Sequence, residues 1–321
     1  MIESFPKNRT WGVMNLQELL NSKQSGRIAL QLARFLPIRT GLWLSDILAG
    51  RIARRADLPL VQGIRANQWV VGGESLSSQA LDFATRDTLH HMARAMFLLF
   101  HHLHRPDSFW KFIAPCPAIL DELLDDQHRK KGVIIAGVHL AYYDVFAQTA
   151  LPRSRKILAL ATPQANPAIE WQHQLRRRIG VEILPTSYEA IREAIRMIQN
   201  CGIVIAGIDY PLRESKYRSL FFNHLAYLPV HHIYLALKTK APILLVAAIV
   251  QEDGLVKFLA SDFIEMRSFP DHQQEILYNT ELILRIAEDF ISQVPHQWAM
   301  FHPVWPDLLD NVPGTNGASN A

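Results

Sequence analysis

The chain has no apolar run long enough to cross a bilayer as a helix. Its longest, residues 241–250, falls well short of the roughly 18 residues a span needs. The opening MIESFPKNRTWG lacks the charged-then-apolar form of a secretory signal, so no leader is expected. Cysteine is scarce: Cys116 and Cys201 are the only two, which excludes a disulfide framework and any Cys-based metal spacing and reads as core thiols in a reducing compartment. Charge of one sign is also missing. A formal net charge of +3 over 321 residues gives no electrostatic footprint for nucleic acid. There is no Gly-x-Gly-x-x-Gly, and Gly73-Glu-Ser-Leu-Ser77 lacks the closing glycine of a serine nucleophile elbow. Gly132 and Gly137 have phosphate-loop spacing, but Val138 and His139 replace its Lys and Ser/Thr. His90, His91, His101, His102 and His104 have no carboxylate or thiol at ligand spacing, so no metal is expected.

What is present is apolar material, 49% of the residues, ample for a sizeable core. Over 28–53, Leu30, Leu32, Phe35 and Leu36, then Leu42, Leu44, Ile47 and Leu48, recur at three- and four-residue steps on either side of Pro37. That is an amphipathic helical pattern interrupted once. Arg51, Arg54 and Arg55 follow it. Two readings stay open: a helix packed on the domain, or one lying on a bilayer with its basic end among headgroups. Further basic clusters stand at 153–156, at 176–178, and at Lys216 with Arg218. Each is ordinarily a solvated face; near a membrane each cation would attract anionic headgroups by about 1 kcal/mol.

From Gly132 onward the pattern changes. Short β-branched runs at 132–137, 156–161, 181–184, 202–207, 242–250 and 256–259 read as buried strands. Helical segments are predicted at 142–151, 166–179, 188–200, 231–240 and 273–293, and a long one at 79–104 before the first strand. The alternation predicts an α/β fold: a central, mostly parallel mixed sheet flanked by helices, with an N-terminal amphipathic helical region. The expected division is a helical, membrane-associating region at 1–130, an α/β core at 131–306 and a flexible tail at 307–321. Ligands of such sheets sit beyond the carboxyl ends of the strands, which singles out the residues just after Gly137 and Gly207.

A His-x4-Asp pair occurs three times, as His102/Asp107, His139/Asp144 and His302/Asp307. His102 ends a helix before Pro106, and His302 sits between prolines that forbid a regular helix. Only His139 directly follows a buried-strand run and precedes a helix. There Asp144 would lie in the first helical turn, where the dipole favours a carboxylate. A carboxylate bonded to one imidazole nitrogen fixes the tautomer and leaves the other nitrogen to take a proton. The plainer reading, a satisfied core histidine beside a helix-capping aspartate, remains open on these residues alone.

These residues resemble the lysophospholipid acyltransferase superfamily, most closely the branch of lipid A late acyltransferases and phosphatidylinositol mannoside acyltransferases. The likeness is carried by residues 132–138 with His139, Tyr143 and Asp144, by 61–67 ending in Arg65-Ala-Asn67, and by Leu175–Pro185 with Arg176. It continues through Gly207-Ile-Asp209, Phe221-Phe222, Ala226, Pro229, 235–241, and Gln297-Trp298 with Phe301-His302. The glycine usual after Phe-Phe is Asn223 here, and the Gly-Asn usual inside the His-x4-Asp motif is Leu140-Ala141.

The resemblance implies an acyltransferase that moves a fatty acyl group from acyl-CoA or acyl carrier protein to a hydroxyl of a lipid or glycolipid. His139 would be the general base, oriented by Asp144. Arg176 would bind phosphate or the oxyanion, and Tyr143, Asp209, Arg213, Phe221, Phe222 and Pro229 would contact substrate. It implies no cofactor beyond the acyl co-substrate, and a peripheral place on the cytoplasmic face of the inner or plasma membrane. A thioester or lipid hydrolase using the same pair, or a non-catalytic lipid-binding module, are the alternatives.

Overall fold

The computed structural model describes residues 23–122, 132–151, 155–162, 167–212 and 215–314. Helices α1 (Lys23–Phe35) and α2 (Ile38–Ala53) are separated at Pro37, where the sequence pattern breaks. Helix α3 (Pro59–Val71) takes proline at its first position, and α4 (Ser78–His102) is N-capped by the Ser77 hydroxyl, which accepts from the Ala80 N–H. The five-residue α5 (Ala118–Glu122) leads toward the sheet.

Strands β1 (Val133–Gly137), β2 (Ile157–Ala161), β3 (Val181–Pro185), β4 (Ile203–Gly207), β7 (Ile243–Val250) and β8 (Val256–Ala260) form one sheet in the order β3-β2-β4-β1-β7-β8. All pairings are parallel except β7 with β8. The connecting helices are α6 (Tyr143–Thr149), α7 (Pro167–Arg177), α8 (Tyr188–Gln199), α9 (His231–Thr239) and α10 (His272–Gln293). The α/β class with its mostly parallel mixed sheet is therefore as expected. The hairpin β5 (Ser219–Phe221)–β6 (His224–Ala226) and helix α3 are additions that the periodicity does not announce.

Both faces of the sheet are covered, which is why its strands read as continuous apolar runs. Along β1 the side chains alternate. Ile134 and Ala136 pack with Ala194, Ile233 and Ile283 of α8, α9 and α10. Val133 and Ile135 pack with Phe146, Trp171 and Phe100 of α6, α7 and α4. A third cluster, Ala49, Leu58, Val61, Ile64 and Leu89, joins the N-terminal helices to one another.

The hairpin turn holds Phe222 at φ 48° and Asn223 at φ 61°. Two successive left-handed residues match the twist of a two-residue hairpin, and asparagine tolerates that region better than most side chains. Asn223 thus takes up this left-handed backbone where the sequence resemblance would have put a glycine. Two carboxylates of α10 accept from the hairpin's backbone: Leu220 N–H donates to Glu281 and Phe222 N–H to Glu288.

The segment after α10 folds back over the N-terminal helices. Buried Asn67 donates to the carbonyls of Met300 and His302 and accepts from the Val304 N–H. Arg65 donates to the Pro313 carbonyl, to Ser78 and to Asp82. Within the stretch expected as a tail, residues 306–311 form a 3-10 helix and Val312 is buried; residues 315–321 lie outside the described part.

Candidate active site

Strands β1 and β4 are neighbours, and their last residues, Gly137 and Gly207, are partners in register. Two residues beyond each glycine stand His139 and Asp209. The sheet thus delivers an imidazole and a carboxylate to the same height at the carboxyl end of its central strands. His139 Nδ1 lies 2.5 Å from one Asp209 oxygen, and the His139 backbone N–H donates to the other at 2.9 Å. The Trp298 indole N–H donates to that second oxygen at 2.8 Å.

Asp209 is fully buried. Burial alone would raise its pKa, but His139 and the Trp298 and backbone donors outweigh it, so the carboxyl is held below the usual range. An ionised carboxylate only accepts hydrogen bonds, so Nδ1 carries a proton and Nε2 is the nitrogen left to act. For His139, withdrawal from water opposes protonation, yet the Asp209 charge and hydrogen bond prevail and the imidazole pKa is raised. The side chain stays 31% exposed, open enough for a reactant to reach it.

The loop bearing His139 is clamped. The Ala299 N–H donates to the His139 carbonyl and the Ala141 N–H to the Gln297 carbonyl, both at 2.8 Å. The Gln297 side chain in turn donates to and accepts from the backbone of Val250 at the end of β7. Gly207 is needed for space: a Cβ there would lie 2.7 Å from His139 Cε1.

Asp144 has a different partner from the expected one. Its carboxylate accepts from Arg176 Nε at 2.7 Å, and Arg176 Nη2 donates to the Tyr143 hydroxyl at 3.3 Å. This corrects the expectation that Asp144 holds the imidazole. Asp144 lies in the first turn of α6 and meets the end of α7, whereas the neighbouring strand β4 brings Asp209 to His139. Asp144 still favours the charged imidazole through space, while Arg176 opposes it. Arg176 is likewise not an uncommitted cation: its guanidinium pairs with Asp144 and lies 5.4 Å over the Tyr143 ring. Tyr143 stands edge-on to His139, with centroids 5.3 Å apart. Burial, then the Asp144 charge, pushes its hydroxyl up to about 12, so it is neutral at physiological pH.

The remaining expected contacts separate. Phe221 is fully buried, stacked on Trp305 and 6.0 Å from Trp298. It packs in the aromatic layer behind Asp209, with no exposed surface in this structure. Phe222 is half-buried against Trp298, and Pro229 is buried before α9. Arg213 lies outside the described residues. Of the other two His-x4-Asp histidines, His102 is buried and bonds Ser108, while His302 is exposed with its ring 5.2 Å from Tyr210. Among the described residues no group of three or more His, Cys, Asp or Glu is placed to hold a metal, and no helix is long and apolar enough to cross a membrane. Gln297, Trp298 and Gly207 were present in the family-like blocks, but only the folded sheet shows what each does.

Residues 33–306 match the family described as bacterial lipid A biosynthesis acyltransferase. A search of curated proteins returned no match. The matched region contains all of the sheet, the His139–Asp209 pair and the Trp298 clamp. The chain therefore belongs to the bacterial lipid A biosynthesis acyltransferase family and is an acyltransferase of lipid biosynthesis.

Proposed function

We propose that the protein transfers a fatty acyl group from the thioester of acyl-CoA or acyl carrier protein to a hydroxyl of a lipid or glycolipid, with His139 as general base oriented by Asp209. The observation that carries this reading is the 2.5 Å Nδ1–Asp209 contact, which leaves Nε2 as the basic nitrogen of a partly exposed ring. Nε2 takes the proton of the acceptor hydroxyl as its oxygen attacks the thioester carbonyl carbon. The tetrahedral intermediate collapses, the C–S bond breaks, and the imidazolium returns its proton to the departing thiolate. Base catalysis of this kind contributes about 10²- to 10⁴-fold. Arg176, neutralised by Asp144, we assign to holding Tyr143 edge-on against the imidazole.

The same reading places the protein on the cytoplasmic face of a membrane. Ile28, Leu32 and Phe35 are 60, 57 and 77% exposed at helical spacing on α1, and Trp43 and Leu48 are exposed on α2. Arg27, Arg34, Arg39, Arg51 and Arg54 are exposed on or beside the same helices. Apolar side chains flanked by cations suit an anionic bilayer surface.

The test is incubation with a radiolabelled acyl thioester and bacterial lipid extract. Acylated lipid from the wild type, and none from a folded His139→Ala variant, is the expected result. Release of free fatty acid alone would assign a hydrolase instead.

A further inference from the structure

The segment after α10 meets the active site over one short span. The Gln297 carbonyl accepts from the Ala141 N–H, the Trp298 indole donates to Asp209, and the Ala299 N–H donates to the His139 carbonyl. Residues 297–299 thus fix the imidazole and its carboxylate together. Residues 299–305 that follow are neither helix nor strand. Such a stretch has no ladder of its own, so its backbone groups must find partners elsewhere.

Those partners stand on α3. Asn67 is 1% exposed. Its amide nitrogen donates to the carbonyls of Met300 at 3.0 Å and His302 at 2.8 Å, and its amide oxygen accepts from the Val304 N–H at 2.9 Å. The next residue, Gln68, is also buried and donates to the Pro295 carbonyl at 2.7 Å. Helix α3 therefore grips the segment on both sides of 297–299: at 295 before it, and at 300, 302 and 304 after it. The approach is close, since a Cβ on Gly63 would lie 2.1 Å from the Phe301 carbonyl oxygen. None of these bonds reaches His139 or Asp209 directly.

We propose that Asn67 and Gln68 are positioning residues for acyl transfer: through residues 295–304 they hold Trp298 against Asp209 and Ala299 against the His139 carbonyl. The orientation of the imidazole is then set in part from α3. The effect on turnover rests on the proposed reaction; the grip on Trp298 does not. An amide suits position 67 because it donates and accepts at once. An aspartate there still accepts from the Val304 N–H, but its ionised form donates to neither carbonyl. A displacement of about 1 Å, begun far from the chemistry, is enough to cost about 10²-fold in rate.

Two variants of the full chain test this. Asn67→Asp removes the donors to Met300 and His302, and Gln68→Met removes the donor to Pro295 while keeping the side chain's length. In ¹⁵N-labelled protein the Trp298 indole N–H resonance, identified by its loss in Trp298→Phe, reports the bond to Asp209. It is expected to move upfield in both variants, with kcat reduced tenfold or more and KM for the acyl thioester within twofold of wild type. Ile276→Ala, a core truncation on α10, lowers stability without removing any of these bonds, and should leave both the resonance and kcat in place. Should Asn67→Asp not fold, Gln68→Met gives the same two readings. An indole resonance that stays in place, a kcat within twofold of wild type, or equal changes in Ile276→Ala would each overturn the proposal. A wild type that transfers no acyl group would contradict the reaction instead, and the indole resonance would still decide the grip.

Discussion

Trp298 donates its indole N–H to the same buried carboxylate, Asp209, that holds the His139 imidazole. The indole and the imidazole thus fix one carboxylate from two sides, and its orientation is set by both.

Replacing Trp298 with Phe keeps an aromatic ring and removes this donor. One oxygen of a fully buried carboxylate then keeps a single donor, the His139 backbone N–H. We expect a loss of about 1–3 kcal/mol in stability and a fall in kcat larger than any change in KM. Denaturant unfolding and steady-state kinetics measure both; unchanged kcat would show that the indole only fills space.

Gly207 leaves the room that the His139 ring occupies, since a Cβ would sit 2.7 Å from Cε1. Gly207→Ala is expected to displace the imidazole and lower activity about 10²-fold, the scale of a 1 Å misplacement. Circular dichroism should remain native. Full activity in that variant would mean that the ring is not confined where it appears.

His232 is fully buried, with both ring nitrogens lacking a partner among the described residues. Burial, and then His231, depress its pKa well below the ordinary value, and burial brings His231 down to about 4. The unfolded chain therefore binds more protons below about pH 6.5, and stability falls as the pH drops. His232→Leu should flatten that dependence, gaining about 1 kcal/mol relative to wild type on going from pH 7.5 to 5.5. Thermal melts at the two pH values test this; parallel shifts in both proteins would refute it.

The exposed stripe of Ile28, Leu32 and Phe35 should be needed on vesicles and not for folding. Leu32→Glu with Phe35→Glu is expected to reduce cosedimentation with anionic vesicles at least tenfold while leaving the melting temperature within about 2 °C of wild type. Undiminished cosedimentation would remove these helices from the membrane account.

Much of this fold is legible in the sequence because the strands are buried on both faces. Glycine-bounded runs such as 132–137 and 202–207 mark β1 and β4 to within a residue. Pro37 likewise divides the first two helices where the pattern breaks. The hairpin escapes because its strands are three residues long and its turn is Phe222-Asn223, without glycine. The histidine of the site is legible from its place after β1. Its partner is not, because His139 and Asp209 are 70 residues apart, and only the order of strands makes them neighbours. Asp144, close in sequence and chemically suitable, instead meets Arg176 on α7, a contact that spacing along the chain does not encode.

That difference separates two carboxylates by experiment. Asp209→Asn leaves an amide that cannot hold the Nδ1–H tautomer as a carboxylate does, and comparable replacements lower kcat by about 10⁴-fold. Because Asp209 raises the His139 pKa, the variant's kcat/KM should also reach its plateau at lower pH, since the base must be neutral to act. Asp144→Asn breaks a mostly buried pair with Arg176, which should cost about 3–5 kcal/mol in stability with a smaller effect on kcat. The deciding measurement is kcat for the two variants, side by side, in acyl transfer to lipid. Loss of about 10⁴-fold in Asp209→Asn, with at most tenfold in folded Asp144→Asn, is the result expected here; the reverse order would return the orienting role to Asp144.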